Sequence, residues 1–144
     1  QKMLAEFPEL DGKVTLLEGQ SRKAMTASNV VLVNSGTATL EAMLLRKPMV
    51  MSYRVGKITY GIVSRLVTTE WFALPNILAG RRIVPEFIQD AAVPSVMAGA
   101  VRRLLDEKEA SDVIATFDEI HLLLKKSVDP GAEAAKAVLG LCES

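Results

Sequence analysis

The stretch VNSGTATLEAM, residues 33–43, brings together residue types that can bind an anion. An apolar run ends there in a small polar turn, and a helical pattern begins at about Thr37. Gly36 lets a ligand approach the backbone, and the start of a helix offers free N–H groups and a partial positive charge. Ser35, Thr37 and Thr39 add hydroxyl donors. The stretch therefore predicts an anion site that suits a diphosphate.

One acidic residue, Glu41, lies in the first turns of the same predicted helix. Its carboxylate can accept hydrogen bonds from the vicinal hydroxyls of a ribose, as acidic residues do in dinucleotide-binding folds. An anion at the amides and a diol at Glu41 would together describe a nucleotide. The simpler interpretation is that the helix dipole favours an acid near a helix start, which contributes ~0.5 kcal/mol. The pattern alone leaves both interpretations open.

The turn matches none of the common fingerprints for nucleotide binding or nucleophilic catalysis. It is not GxGxxG, GxxxxGK[ST] or GxSxG. The one histidine, His121, follows Asp118 by three residues, but a lone histidine in an amphipathic helix is usually a packing or surface residue. No His, Cys and Asp residues have the spacing of metal ligands, so we expect no metal and no cofactor.

The elements that would position these residues alternate along the first two-thirds of the chain. Each strand candidate is apolar on consecutive residues, which is typical of parallel strands covered on both faces. This pattern predicts an α/β fold with an open parallel sheet, and ligands bind such sheets beyond the carboxyl ends of the strands. The predicted strands are 14–19, 29–36 and 48–54, and the predicted helices are 21–28, 37–47 and 57–68.

The alternation stops at residues 71–87, which contain Pro75, Gly80 and Pro85. The remainder is helical in pattern, so the chain divides into a sheet-containing part, 1–90, and C-terminal helices, 91–144. Pro94 suits a first helical position, and Asp129-Pro130 suits the start of the last helix. The apolar residues predicted to face inward are Met97, Val101, Leu104, Leu105, Val113, Phe117, Ile120, Leu124, Ala134, Val138 and Leu141.

Composition excludes several classes of function. The chain of 144 residues carries 17 basic and 17 acidic residues, and this zero net charge argues against general nucleic-acid binding. The one cysteine, Cys142, excludes an intrachain disulfide and a thiolate metal cluster. No uncharged apolar run reaches the length of a transmembrane helix. The first residue is not Met, and we expect the chain to be a fragment that begins inside a domain.

Two long segments make the chain recognisable. NSGTATLEAMLLRKPMVMSYR (34–54) and LVTTEWFALPNILAGRRIVPEFIQ (66–89) resemble the C-terminal part of the lipid-A-disaccharide synthase family. This resemblance implies an inverting glycosyltransferase of the GT-B architecture, with two Rossmann-like domains. The family transfers 2,3-diacylglucosamine from its UDP conjugate to 2,3-diacylglucosamine 1-phosphate, giving the lipid A disaccharide precursor and UDP. Its members are peripheral proteins on the cytoplasmic face of the inner membrane in Gram-negative bacteria.

The resemblance also implies roles for particular residues, because the C-terminal domain of GT-B enzymes holds the sugar nucleotide. It places Ser35, Gly36 and Thr37 near the diphosphate and Glu41 on the ribose, in agreement with the residue pattern. Asn76, which by pattern alone is a turn residue after Pro75, matches a position of the donor site. Further donor-site candidates are Gly19, Gln20 and Ser21 near the uracil, the hydroxyl of Thr39, and Arg81 near phosphate, although arginines such as Arg81 are usually solvated.

The resemblance covers only the last third of the family's enzyme. The family's N-terminal domain, to which the resemblance assigns the acceptor site and the general base, is not in the chain, nor is a Gly-Ser-Arg loop expected to bind the diphosphate. Inverting transfer needs both a base and charge stabilisation at the leaving group. We therefore expect this chain alone not to catalyse the transfer.

Two other functions remain open. The chain is also compatible with a non-catalytic helical fragment that forms a homodimer through residues 91–144. A different GT-B-like UDP-sugar enzyme, such as an epimerase, would share the strand–turn–helix but not LPNILAGR (74–81). Basic and aromatic residues flank apolar positions in 53–66, which suits either a helix buried on the sheet or one on a membrane surface, and the pattern favours burial.

Overall fold

The computed structural model describes residues 6–34, 36–56, 70–126, 131, 135 and 138–139. Within these ranges, α-helices and parallel strands alternate from Ser21 to Ile88, and two longer helices follow. The strands are β1 (Val31–Asn34), β2 (Met49–Tyr53) and β3 (Glu86–Ile88). The helices are α1 (Ser21–Ala27), α2 (Thr37–Leu44), α3 (Leu74–Ala79), α4 (Pro94–Leu104) and α5 (Glu107–Lys126), with short 3-10 helices at Pro8–Leu10 and Gln89–Ala91.

The three strands form one parallel sheet in the order β1-β2-β3. Leu32 pairs with Val50 across the first ladder, and Met51 pairs with Glu86 across the second. All three strands therefore end at the same edge, and the turn after β1 lies on that edge. The predicted α/β fold with an open parallel sheet is confirmed.

The central strand shows why its residues are apolar without alternation. Met49, Val50 and Met51 are each 0% exposed, although neighbouring side chains point to opposite faces. Met49 and Met51 pack in one core cluster with Met43 of α2 and residues of α5. On the opposite face, Val50 packs with Phe87 and with Ala100 and Leu104 of α4. Helices thus cover both faces of β2, as expected for a parallel strand.

The first strand prediction was wrong. Residues 14–19 form no strand in the structure, and Val14, Leu16 and Leu17 are exposed. A strand needs a partner in the ladder and a layer that buries its side chains. Among the described residues, this segment has neither a partner strand nor a covering layer. Its apolar side chains are therefore not buried, and no burial offsets the cost of ordering the backbone.

The prediction for residues 71–87 was incomplete, because this segment contains α3 and β3. Pro75 lies in the first turn of α3, and Gly80 ends that helix in the left-handed conformation with φ 62°. Pro85 directly precedes β3, which is only three residues long. The three punctuating residues mark the ends of short elements, which are too brief to show a periodic pattern.

The C-terminal helices agree with the sequence in part. Pro94 begins α4, and Leu104, Phe117 and Ile120 are buried as predicted. The inward orientation predicted for Leu105, Leu124 and Val138 is wrong, since these side chains are 56%, 42% and 61% exposed. Amphipathic spacing marks the apolar side of a helix, but the described residues bring nothing against these three positions. The predicted helix 57–68, the start at Asp129-Pro130, and the positions Ala134 and Leu141 lie outside the described residues.

The predicted division of the chain at residue 90 is not tested by the structure and stays a prediction. Helix α4 packs on β2, and α5 packs on α2 and α3, so both helices complete the layers around the sheet. Helix α5 spans 20 residues and carries charged residues throughout. In the described ranges, none of the helices combines the length and the apolar character that crossing a bilayer requires.

Candidate functional site

The turn between β1 and α2 is open at the carboxyl edge of the sheet. Gly36 precedes α2 with φ 107° and ψ −154°, a conformation that essentially only glycine adopts. No side chain caps α2, and among the described residues nothing accepts from the amides of Thr37 and Ala38. Both Gly36 and Thr37 are exposed. An uncapped helix start on an exposed glycine turn can receive an anion.

Glu41 lies one helical turn beyond Thr37, on the same face of α2. Its side chain is half-buried, and no residue in the described part of the chain donates a hydrogen bond to its carboxylate. The structure thus places Gly36 directly before α2, with Thr37 and Glu41 one turn apart on that helix. The carboxylate is available to a ligand that also reaches the amides of the turn. Ser35 lies outside the described residues.

Thr39 faces the interior instead of this open end. Its side chain is 0% exposed, and its hydroxyl donates to the carbonyl oxygen of Gly36 at 2.8 Å. The hydroxyl oxygen of Thr39 in turn accepts a hydrogen bond from the backbone N–H of Leu74 at 3.2 Å. Both hydrogen-bonding directions of the hydroxyl are therefore occupied within the protein. In the structure the Thr39 hydroxyl connects the Gly36 turn to α3. Direct contact of Thr39 with a nucleotide stays a prediction.

Asn76 is likewise fully buried, at 0% exposed. Its Oδ1 accepts from the N–H groups of Ile83 and Val84 at 2.8 and 2.9 Å. Its Nδ2 donates to the carbonyl oxygen of Val84 at 3.0 Å and to Oε1 of Glu86 at 2.7 Å. The amide thus has its four hydrogen bonds inside the protein. These bonds fix the segment that connects α3 to β3.

Glu86 is a residue of this site that the sequence reasoning missed. Its carboxylate accepts from the N–H of Phe72 through both oxygens, at 3.2 and 3.1 Å, and from the N–H of Ala73 at 2.8 Å. Together with the bond from Asn76, these are charge-assisted bonds to the segment that leads into α3. The signal for Glu86 was an acidic residue inside the short apolar run IVPEFI (83–88).

A second missed residue, Gln89, follows β3 directly. Its side-chain amide bonds both backbone groups of Val55, accepting from N–H at 2.8 Å and donating to the carbonyl oxygen at 3.0 Å. Gln89 itself has φ 53°, an uncommon conformation for a residue with a side chain. Side chains at the start of β3 and directly after it therefore hold the segment before α3 and the loop after β2, respectively.

The remaining candidates lie elsewhere. Gly19, Gln20 and Ser21 line an open cavity of about 660 Å³ at the start of α1, and among the described residues they form no hydrogen bond with the Gly36 turn. The Arg81 guanidinium donates to Oγ1 of Thr116 on α5 at 3.3 Å. Their proposed contacts with uracil and phosphate stay predictions.

Among the described residues, Asp118 has a hydrogen-bond partner other than His121. The Asp118 carboxylate accepts instead from Arg46 at 2.7 Å, and both side chains of this ion pair are largely exposed. An exposed pair of this kind contributes only about 0–1 kcal/mol. The interpretation of His121 as a surface or packing residue is consistent with this geometry.

The chain was compared with known proteins. A family model described as lipid-A-disaccharide synthetase matches residues 2–138. The lipid-A-disaccharide synthase of Pseudomonas aeruginosa (strain LESB58) is 50% identical over 130 residues, which are 90% of this chain and 33% of that protein. Those of Aeromonas hydrophila subsp. hydrophila and Alcanivorax borkumensis are 46% and 45% identical over 92% and 96% of this chain, and 35% and 36% of their own lengths.

This chain therefore spans about a third of the length of these curated relatives. The family model nonetheless extends over nearly all of its residues, including the three described strands and helices α4 and α5. Because that match covers far more than half of the chain, the chain belongs to the lipid-A-disaccharide synthetase family.

Proposed function

We propose that this chain is the donor-binding part of a glycosyltransferase that forms the lipid A disaccharide. The donor is UDP-2,3-diacylglucosamine, the acceptor is 2,3-diacylglucosamine 1-phosphate, and UDP leaves. Membership of the family supports the reaction, and the names of the relatives support the product. The proposed acceptor site and general base lie in the two-thirds of the relatives that this chain does not match.

One observation carries the donor-binding role: among the described residues, the helix start on the exposed glycine turn is uncapped, and the Glu41 carboxylate on the same face of the helix accepts no hydrogen bond. The free amides of Thr37 and Ala38 suit the diphosphate, whose negative charge increases as the glycosidic bond breaks. Glu41 suits the two ribose hydroxyls, which are donors that a carboxylate can accept together. Ser35 is proposed to contact the same diphosphate.

The other donor-site residues are proposed to act around this centre. The loop of Gly19, Gln20 and Ser21 would receive the uracil, for which its open cavity has room. Arg81 would contact phosphate by giving up its hydrogen bond to Thr116. That bond is long, at 3.3 Å, and is easily exchanged. Asn76 would serve the donor site by holding the backbone of α3 in place, because its own amide is fully bonded.

The experiment is a titration of UDP into the 144-residue chain, followed by the shifts of backbone amide signals in NMR spectra. We expect saturable shifts at Gly36, Thr37 and Ala38. Glu41→Gln should weaken UDP binding about 5–10-fold, because it removes a charged acceptor of two hydroxyl bonds. Added EDTA should leave the affinity unchanged, since we expect no metal.

Glu119→Gln provides the matched control, because Glu119 is an exposed glutamate on α5, away from the turn. This variant should bind UDP as the unaltered chain does. Equal affinities for Glu41→Gln and Glu119→Gln would exclude Glu41 as the ribose ligand. A well-dispersed spectrum that does not respond to UDP would refute donor binding by this chain.

A second candidate function is self-association through the C-terminal helices, possible because apolar side chains lie exposed there. Leu122 and Leu123 on α5 are 58% and 65% exposed, and Val138 and Leu139 are exposed as well. Exposed apolar groups of this extent are typical of surfaces that another protein or a membrane covers. We propose a homodimer of these helices and, from the family's lipid substrates, a peripheral position on the inner membrane.

A further inference from the structure

Three consecutive backbone amides lead into α3, and side chains from two other elements bind all of them. The N–H groups of Phe72 and Ala73 donate to the carboxylate of Glu86 on β3. The next N–H, that of Leu74, donates to the hydroxyl of Thr39 on α2. The start of α3 is therefore occupied by the protein's own acceptors, and it is not a second anion site.

The Thr39 hydroxyl also reaches the turn proposed to bind the diphosphate. It donates to the carbonyl oxygen of Gly36 at 2.8 Å, and the backbone N–H of Thr39 donates to the same oxygen at 3.0 Å. One buried hydroxyl thus joins the backbone of Gly36 to the backbone of Leu74, 35 residues beyond Thr39 in sequence. A displacement of α3 would therefore be transmitted to Gly36.

Glu86 holds the other side of the same segment. Its Oε1 receives the N–H of Ala73 at 2.8 Å and Nδ2 of Asn76 at 2.7 Å. Because Glu86 pairs with Met51 in the sheet, its backbone is fixed by the ladder between β2 and β3. The carboxylate consequently ties the start of α3 to the rigid sheet, and Thr39 ties it to the turn.

We propose that Thr39 and Glu86 are positioning residues of the nucleotide site, which together hold the Gly36 turn and the start of α3 at a fixed separation. Neither side chain touches the nucleotide. They keep the carbonyl oxygen of Gly36 turned inward, so that the amides of Thr37 and Ala38 face outward to the diphosphate. This inference rests on the donor-binding function proposed above.

The first test compares two substitutions at one position. Thr39→Val keeps the buried volume and loses the hydroxyl, whereas Thr39→Ser keeps the hydroxyl and loses a methyl group. We expect Thr39→Val to raise the hydrogen-exchange rate of the Leu74 amide at least about tenfold and to weaken UDP binding about fivefold. Thr39→Ser should retain the affinity and the slow exchange, because both effects follow the hydroxyl.

A control separates positioning from general destabilisation. Ile120→Val removes one methylene group from the core cluster and leaves every hydrogen bond of the turn intact. It should lower thermal stability without changing the UDP affinity. If Ile120→Val weakens UDP binding as much as Thr39→Val does, the effect of Thr39 is only one of stability and the proposal is overturned.

Glu86→Gln tests the same segment from the sheet side and does not require the Thr39 variant to fold. The glutamine side chain at position 86 keeps one acceptor oxygen and places an NH2 group where the carboxylate has its second oxygen. Faster exchange at Phe72 and Ala73 with weaker UDP binding would support the proposal. Unchanged UDP affinity in either Glu86→Gln or Thr39→Val would overturn it.

The exchange rates are measured without nucleotide, so the two levels of inference are distinguishable. If the unaltered chain binds UDP and Thr39→Val binds it equally well, the positioning role alone is refuted. If the unaltered chain shows no response to UDP, the donor-binding function is refuted and the positioning role with it. The exchange of the Leu74 amide then still reports whether the hydroxyl connects the two segments.

Discussion

At the scale of single residues, the site depends on a backbone conformation at Gly36. Its φ of 107° with ψ of −154° turns the chain from β1 into α2 without a capping side chain. A Cβ built at this position meets no atom within 4 Å, so the restriction comes from the dihedral angles and not from crowding. The open space on the same side is where a ligand would approach.

Gly36→Ala should therefore destabilise the chain by about 1–3 kcal/mol, the cost of holding a residue with a side chain in this conformation. Urea unfolding followed by circular dichroism measures the change. Gly99→Ala is the matched control, because Gly99 lies inside α4 and its Cβ would also meet nothing within 4 Å.

The control should stabilise the chain by about 0.5–1 kcal/mol, since alanine is the better helix former. The two alanine substitutions are thus expected to have opposite signs. Destabilisation of similar size in both variants would contradict the assignment of strain to Gly36.

At the scale of elements, side-chain hydrogen bonds hold the short helix α3 and the short strand β3 in place. Helix α3 has six residues, which is too few for an isolated helix to be stable. Asn76 binds the backbone of Ile83 and Val84, and Glu86 binds the backbone of Phe72 and Ala73. These bonds join the two elements into one unit at the edge of the sheet.

Asn76→Ala should cost about 2–4 kcal/mol in the free energy of unfolding, because it leaves several buried polar groups without partners. The same urea titration measures it. Leu78→Ala in the same helix is the control, since Leu78 is exposed and its truncation should cost well under half as much. Equal losses for the two variants would show that the Asn76 bonds contribute little.

At the scale of the whole molecule, apolar side chains remain exposed beside β1 and at the end of α5, among other places in the described residues. Beside β1, Leu32 is exposed and lines an open cavity of about 460 Å³ with Met97 and Val101 of α4. At the end of α5, Leu122 and Leu123 are exposed. The chain spans about a third of the length of its relatives, so it presents surfaces that a longer protein or a second copy could cover.

Leu123→Glu should reduce self-association of the chain, because it places a charge in the exposed apolar surface of α5. Sedimentation velocity over a hundredfold range of concentration would measure the shift toward monomer. Ala115→Glu adds the same charge at an exposed position of the same helix and should leave association unchanged. A monomer mass at every concentration of the unaltered chain would refute dimerisation through these helices.

Local sequence determined the centre of the fold and the candidate site. The apolar run at 49–51 identified a strand covered on both faces, and Pro94 identified the start of α4. The residues of the turn and Glu41 predicted one functional end of α2, because helical spacing alone places them together. The family resemblance of residues 34–54 and 66–89 is confirmed by the family match.

Tertiary structure alone decided which side chains bind the backbone that leads into α3. The bond from Leu74 to Thr39 spans 35 residues, and the bond from Ala73 to Glu86 spans 13, so neither produces a local pattern. Packing likewise left residues 14–19 outside the sheet, since no partner strand or covering layer contacts them in the part of the chain that the structure describes. Propensity and periodicity act over a few neighbouring residues, whereas these partners meet only when α2, α3 and β3 converge at the carboxyl edge of the sheet.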